Sequence, residues 1–304
     1  MQRRRPDMNR NAVPVIFGEV LFDRFGDQAV LGGAPFNVAW NLRGLGRDPH
    51  FIGAVGADEL GARVRGAMAR WGLGDAGLQE DPQHPTGQVR VTLEAGSPRY
   101  EILPDQAYDH IDPKAALASV PERPGVLYHG SLALRGERSR AALEALAQAL
   151  EAPVFLDVNL RAPWWQREQV QDWMARATWV KLNQEELAAL APVEQEDLDV
   201  QARMTLARFD LDALIVTRAE AGAMVLTREG AVHALQAPPV EALADTVGAG
   251  DAFSAVALAG LMAGWGWDLI LERASLFASR VCTLQGATTE EPGFYAEAMG
   301  AWEG

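Results

Sequence analysis

Short apolar runs recur along this chain with longer helical stretches between them, and that alternation limits the folds open to it. "VPVIFGE" (13–19), "FIGAV" (51–55), "GVLYHGS" (125–131), "PVFLDVN" (153–159), "TWVKLN" (178–183) and "DALIVT" (212–217) are each apolar through their middle rather than on every second residue. A run of that kind reads as a strand buried on both faces. Between them lie "APFNVAWNLRGLG", whose Ala39, Leu42 and Leu45 share a helical face, "DELGARVRGAMARWGL", with an acidic first turn, and the short "QEELAAL". Pro14 stands near the start of the first run, where a missing N–H is tolerated. The pattern predicts an α/β fold with a mainly parallel sheet covered by helices on both faces. With 304 residues the chain can bury a full core, as one large domain or two small ones.

Two segments break the rhythm. "EVLFDRFGDQAVLGG" (19–33) and "GQVRVTLEAGSPRYEILPD" (87–105) read as strands and turns with no helix inside, the second as a hairpin around Glu94–Pro98. A small antiparallel flap beside the main sheet accounts for both. Phe22, Phe25, Tyr100 and Ile102 give it an apolar face that needs a cover. Internal repeats and low-complexity tracts are absent from the sequence.

Several chemistries can be set aside. A net charge of −14 disfavours nucleic acid or an anionic membrane surface as a partner. Cys282 is the single cysteine, so no internal disulfide forms and a reducing compartment is expected. The opening "MQRRRPDMNRN" lacks the apolar stretch of a signal peptide, and residues 1–12 read as a flexible arm. No run approaches the roughly 20 apolar residues of a membrane span. The expectation is a soluble, cytoplasmic protein. "GLGDAG" (72–77) matches the dinucleotide fingerprint but follows a helix instead of a strand. Neither lysine, Lys114 or Lys181, follows a glycine as a P-loop requires, and the five histidines show no metal-ligand spacing, so zinc is not expected.

"LADTVGAGDAFSA" (243–255) is different. The run that follows it is apolar on every side and reads as a buried helix. Gly248, Ala249 and Gly250 let the backbone approach a ligand closely, and a helix N-terminus adds roughly half a positive charge there. Asp251 stands in the first turn, where the same dipole favours its ionised, proton-accepting form. An anion hole beside a carboxylate suits transfer of a phosphoryl group to a hydroxyl. A tight turn with Asp251 as a helix cap fits these residues equally well.

"DTVGAGDAFSA" resembles the C-terminal signature of the ribokinase-like (PfkB) carbohydrate kinases, and "GGAPFNVAWNLRGLG" (32–46) resembles their N-terminal signature. "DVNLR" (157–161), "KLNQEE" (181–186) and "VTRAEAGA" (216–223) have counterparts in the same order, so the resemblance spans Val15 to Gly286. It implies one ribokinase-like domain over 1–304, a three-layer sandwich whose lid is built from about 19–33 and 84–110. Asp251 would be the base that deprotonates a sugar hydroxyl, and Gly248, Ala249 and Gly250 would stabilise the charge on the transferring phosphoryl. Asn183 and Glu186 would order magnesium and the ATP phosphates through water; otherwise Glu186 is a solvated carboxylate at a helix start. Thr217 and Gly222 would line the nucleotide site, although Ala219 stands where the family usually has glycine. Asp23, Gly32, Gly33 and Asn37 would hold the sugar. Arg161 would face the substrate or the γ-phosphate, or simply pair with Asp157. Asp245, Val247 and Gly286 sit where relatives bind a monovalent cation such as K+.

Within the family, "GGAPFNVA" and "DVNLRAPWW" are more similar to fructokinases than to adenosine or ribose kinases. A 2-keto-3-deoxygluconate kinase is the alternative, and a sugar-binding sensor on an inactive kinase scaffold is the alternative of another class. A sugar acid needs a cationic partner; with so few lysines that falls to Arg161 or Arg90. Pro35 and Phe36 are expected to form an apolar wall beside the sugar loop, matched to a neutral ring. By analogy with relatives, the lid is expected to close over the sugar and to pair two subunits as a homodimer.

Overall fold

The computed structural model describes residues 12–26, 28–94, 97–192, 197–240 and 242–302. Residues 1–11 of the expected arm and 95–96 of the expected hairpin turn lie outside them. In chain order the strands are β1 (Val13–Phe17), β2 (Leu21–Phe25), β3 (Gln28–Gly32), β4 (His50–Gly56), β5 (Leu78–Asp81), β6 (Gly87–Glu94), β7 (Ser97–Ile102), β8 (Pro124–His129), β9 (Val154–Asp157), β10 (Trp179–Asn183), β11 (Ala213–Thr217), β12 (Ala223–Thr227) and β13 (Val232–Leu235).

The main sheet runs β13-β12-β11-β10-β9-β8-β1-β4-β5. Its pairings are parallel from β5 to β11, and β12 and β13 add an antiparallel edge. All six apolar runs are strands in this sheet. β5, β12 and β13 escape the sequence pattern because two are short edge strands and the third turns straight back from β11 after a tight loop. From β1 the chain first builds outward through β4 and β5, then returns to lay β8 on the other side of β1. Connections diverge at such a switch point and leave a crevice at the carboxyl ends of the strands.

Both faces of the sheet are covered. Ile16 enters a core with Phe51, Tyr128 and Phe155 on one side, whereas its neighbours Val15 and Phe17 enter a second core with Leu127, Leu156 and Leu214 on the other. The helix Ala249–Ala263 is buried from Ala252 through Gly260, packed between the helices Ala34–Gly44 and Trp267–Val281. That position explains why it is apolar all round.

The second sheet runs β3-β2-β6-β7. Its two halves are antiparallel hairpins, and they join through a parallel pairing of β2 with β6. Leu21 and Val89 seal its inner side over Tyr108, Leu132 and Ala133, with Ile102 and Trp164 packed alongside. Farther along the same face, beyond that small core, Phe25, Val30 and Tyr100 are 44%, 44% and 54% exposed. Phe22, expected to share that apolar face, lies on the opposite one and is buried beneath the guanidinium of Arg63. Among the described residues no helix is long and apolar enough to cross a membrane.

Candidate active site

The N-terminus of the helix Ala249–Ala263 opens into the crevice. Gly248 caps it at φ 81, and a Cβ there would lie 2.3 Å from the Cβ of Ala287, so only glycine fits. The N–H of Ala249 turns back to the carbonyl of Thr246 at 3.3 Å. Helix geometry leaves the N–H groups of Gly248, Gly250 and Asp251 without an intrahelical partner, so of the three residues expected at the anion hole Ala249 is the one whose N–H is turned back. The position of a Cβ on Gly250 is 3.4 Å from Lys181 Nζ, so a buried ammonium stands behind the hole.

Asp251 Oδ2 accepts a hydrogen bond of 2.8 Å from Asn37 Nδ2, which joins the two ends of the sequence in one site. Burial pushes this carboxyl up to about 6, with the Asn37 bond pulling down, Asp157 pushing up, and Lys181 and Arg161 pulling down. Burial is the largest of these influences, and it brings the group close to the pH at which a general base works.

The residues expected at the sugar gather around it. Asp23 lies in β2 with its Oδ2 3.5 Å from where a Gly32 Cβ would stand, and burial raises its carboxyl while Arg161 lowers it. Gly33 takes φ 112 and passes so close to β1 that a Cβ would meet the Glu19 carbonyl at 2.7 Å; the helix bearing Asn37 starts immediately after it. Arg161 is exposed, donates to the Leu160 carbonyl at 3.2 Å, and its charge acts on Asp23 and Asp251 together. It does not pair with Asp157. That carboxylate instead receives both bonds of Lys181 Nζ, at 3.0 and 2.9 Å, and the Ser254 hydroxyl at 2.6 Å. Arg90 is taken by Glu101 across the hairpin at 2.8 Å. Phe36 does not wall the sugar loop either. It is buried against Trp40 and Phe51, and Pro35 is buried over Gly18.

On the nucleotide side, Asn183 and Glu186 form a reciprocal cap on the helix Gln184–Leu190. Glu186 is buried, not solvated, and its oxygens accept from the N–H groups of Leu160 (2.7 Å) and Asn183 (2.9 Å). Burial raises its carboxyl. Each oxygen keeps a lone pair, enough for a hydrogen bond to a metal-bound water. Thr217 ends β11 beside Asn183 of β10. Gly222, at φ 89, lets the backbone of Leu235 approach to where a Cβ would be. Ala219 occupies φ 46, the left-handed region that the family's usual glycine would favour. Asp245 Oδ1 accepts from the Val247 N–H at 3.0 Å, and the Gly248–Ala287 contact brings this loop against Gly286.

A buried carboxylate beside a helix N-terminus, with glycine turns around it at the crevice of a parallel sheet, is an arrangement that suits phosphoryl transfer. The model of the pfkB family carbohydrate kinases matches residues 13–292. The chain belongs to that family. A fructokinase of Klebsiella pneumoniae is 36% identical over 248 residues, covering 76% of this chain and 77% of the relative. A fructokinase of Salmonella typhimurium is 32% identical over 282 residues, covering 86% and 88%. Among solved structures, a double-mutant fructokinase from Vibrio cholerae O395, bound to fructose, ADP and potassium, superposes with TM-score 0.77 at 25% identity, covering 94% of this chain and 97% of that one. This pfkB kinase is therefore a sugar phosphotransferase with a ribokinase-like fold.

Two site residues of the pfkB kinase are not found by reading single motifs. Glu19, just after β1, is only 3% exposed, and its Oε2 has no hydrogen-bond partner. Burial pushes it up to about 7, against its own backbone N–H and the charge of Arg161, while Asp251 adds to the rise. The one sequence signal is a carboxylate closing a buried strand in "VPVIFGE". Lys181, read only as part of a motif, supplies the buried cation behind Gly250.

Proposed function

We propose that this protein is a cytoplasmic, ATP-dependent fructokinase. The reading rests on Asp251, a carboxylate at a helix mouth, hydrogen-bonded to Asn37 at 2.8 Å and flanked by free N–H groups. Asp251 takes the proton of the attacking sugar hydroxyl, and the N–H groups of Gly250 and Asp251 receive the charge on the transferring phosphoryl. Asp23, Gly32, Gly33 and Asn37 orient the sugar, and Thr217 and Gly222 border the nucleotide. Asn183 and Glu186 would hold Mg2+ through water, and the ion would supply neutralisation of the phosphate charge. Asp245, Val247 and Gly286 would offer backbone oxygens to K+, the ion bound in the Vibrio relative. Two copies would cover each other's exposed Phe25, Val30 and Tyr100 as a dimer of lids.

A neutral sugar fits this pocket better than a sugar acid. Glu19, Asp23 and Asp251 face Arg161 as the shared cation, and Arg90 is already paired. An added carboxylate would be repelled by that set. ADP release measured across a sugar panel tests the reading. Fructose is expected to exceed 2-keto-3-deoxygluconate in kcat/KM by at least about tenfold, which needs only about 1.4 kcal/mol of discrimination. A win for the acid refutes it, and Arg161→Ala should then abolish that preference. Sugar binding with no ADP release would mark a sensor instead.

A further inference from the structure

We propose that His84, Asp105 and His110 form a binding site for a divalent transition metal of the zinc class at the root of the lid. The fold brings together two histidines that the chain separates by the whole β6–β7 hairpin. Their rings stack with centroids 3.5 Å apart and planes within 9°. Both Nε2 atoms meet one carboxylate oxygen, Asp105 Oδ1, at 2.7 Å from His110 and 3.6 Å from His84.

The other ring nitrogen of His84 fixes its chemistry. Nδ1 lies 2.7 Å from Asp81 Oδ2 and so must carry the proton in the neutral ring. Asp81 is itself held by the N–H groups of Gln83 and His84, at 2.7 and 3.2 Å. His84 Nε2 is then a bare lone pair facing a carboxylate. A cation between the two acceptors, a proton or a metal ion, satisfies both, and the second histidine alongside supplies a further metal donor. The arrangement is that of a carboxylate that orients a histidine toward a metal.

The donor set selects the metal. Two imidazoles and one carboxylate, with water in the fourth position, suit zinc, whereas Mg2+ and Ca2+ take oxygen ligands. All three donor atoms lie within 4.8 Å of one another, against about 3.3 Å between the ligands of a tetrahedral zinc ion, so binding must draw them together and turn one of the stacked rings. The Asp105 side chain is 72% exposed, so an ion can enter and keep a water. Bound there, the ion ties the residue ahead of β6 to those behind β7 and clamps the base of the lid.

The test uses untagged protein, freed of metal by a chelator and without nucleotide. Zinc is titrated by calorimetry, and Co2+ serves as the spectroscopic probe. One ion per chain is expected, with tetrahedral Co2+ absorption bands. His84→Gln combined with His110→Gln should abolish both signals, and Asp81→Asn should weaken affinity by about 10–100-fold while keeping one site. Circular dichroism confirms that each variant folds. Zinc should also slow hydrogen exchange in 87–92 and 100–103. No saturable uptake by the unaltered protein, or unchanged uptake by the double variant, overturns the site; unchanged exchange in both strands overturns the clamp.

Discussion

Asp251, the proposed base, is partly withdrawn from water, and that withdrawal is a burden on the fold. Asp251→Asn keeps the shape and loses the proton acceptor, so turnover is expected to fall by about 10²–10⁴-fold while sugar affinity stays within a few-fold. Steady-state kinetics beside direct sugar binding check it. In the unaltered enzyme kcat/KM should fall as pH drops below about 6, where the carboxyl protonates. Burial raises the folded-state value, so the folded chain binds this proton more tightly than the unfolded chain. Stability from that proton is complete below the ordinary value of 3.8 and is lost as pH rises through about 6. Asp251→Asn should therefore raise Tm at pH 7.5 and leave it unchanged near pH 3.5. Lys181 shows the opposite case. Lys181→Met leaves Asp157 buried without its cation and should cost about 3–5 kcal/mol in urea unfolding. Adding Asp157→Asn should recover much of that loss.

Two loops show how left-handed backbone acts within an element. Gly248 and Ala219 both take positive φ, at 81 and 46, one at the helix mouth and one after β11. Their surroundings make the predicted outcomes differ. Gly248→Ala drives a methyl group into Ala287, so the first helical turn must shift and kcat should collapse even where the protein still folds. Ala219→Gly relieves the strain of a side chain at positive φ and should stabilise the protein by up to about 1 kcal/mol. Denaturant unfolding and ATP saturation curves, run on both variants, distinguish the two. The kinase family's usual glycine at the second position is thus a backbone preference that this chain meets with alanine.

At the scale of the molecule, the lid is a separate sheet, one face of which seals a small core near Leu21 and Val89 and stays apolar and exposed farther out, at Phe25, Val30 and Tyr100. Fructose is expected to close it, slowing hydrogen exchange in 87–92 and 100–103. Light scattering at micromolar concentration should find a dimer in which Phe25, Val30 and Tyr100 are covered. A strict monomer removes the pairing, and unchanged exchange removes the closure.

The sequence by itself determined the parallel sheet, the helices on both its faces, the lid segments and the helix mouth at Gly248–Asp251. Each of these is written locally: apolar runs at strand length, small residues before a carboxylate, glycine where the chain turns. What it left open depends on which distant segments become neighbours. "DVNLR" does not say that Asp157 will pair with Lys181 and leave Arg161 free, because that follows from laying β9 beside β10. Phe36 looks like a pocket wall until the helix Ala34–Gly44 rotates it onto Phe51. Glu19 reads as an ordinary carboxylate until β1 takes its place between β8 and β4 and the crevice closes around it. His84 and His110 stack only after the lid hairpin doubles back. Motif spacing records what a stretch can do alone; burial and pairing belong to the packed chain, where loss of water and the nearest charge set each group's chemistry.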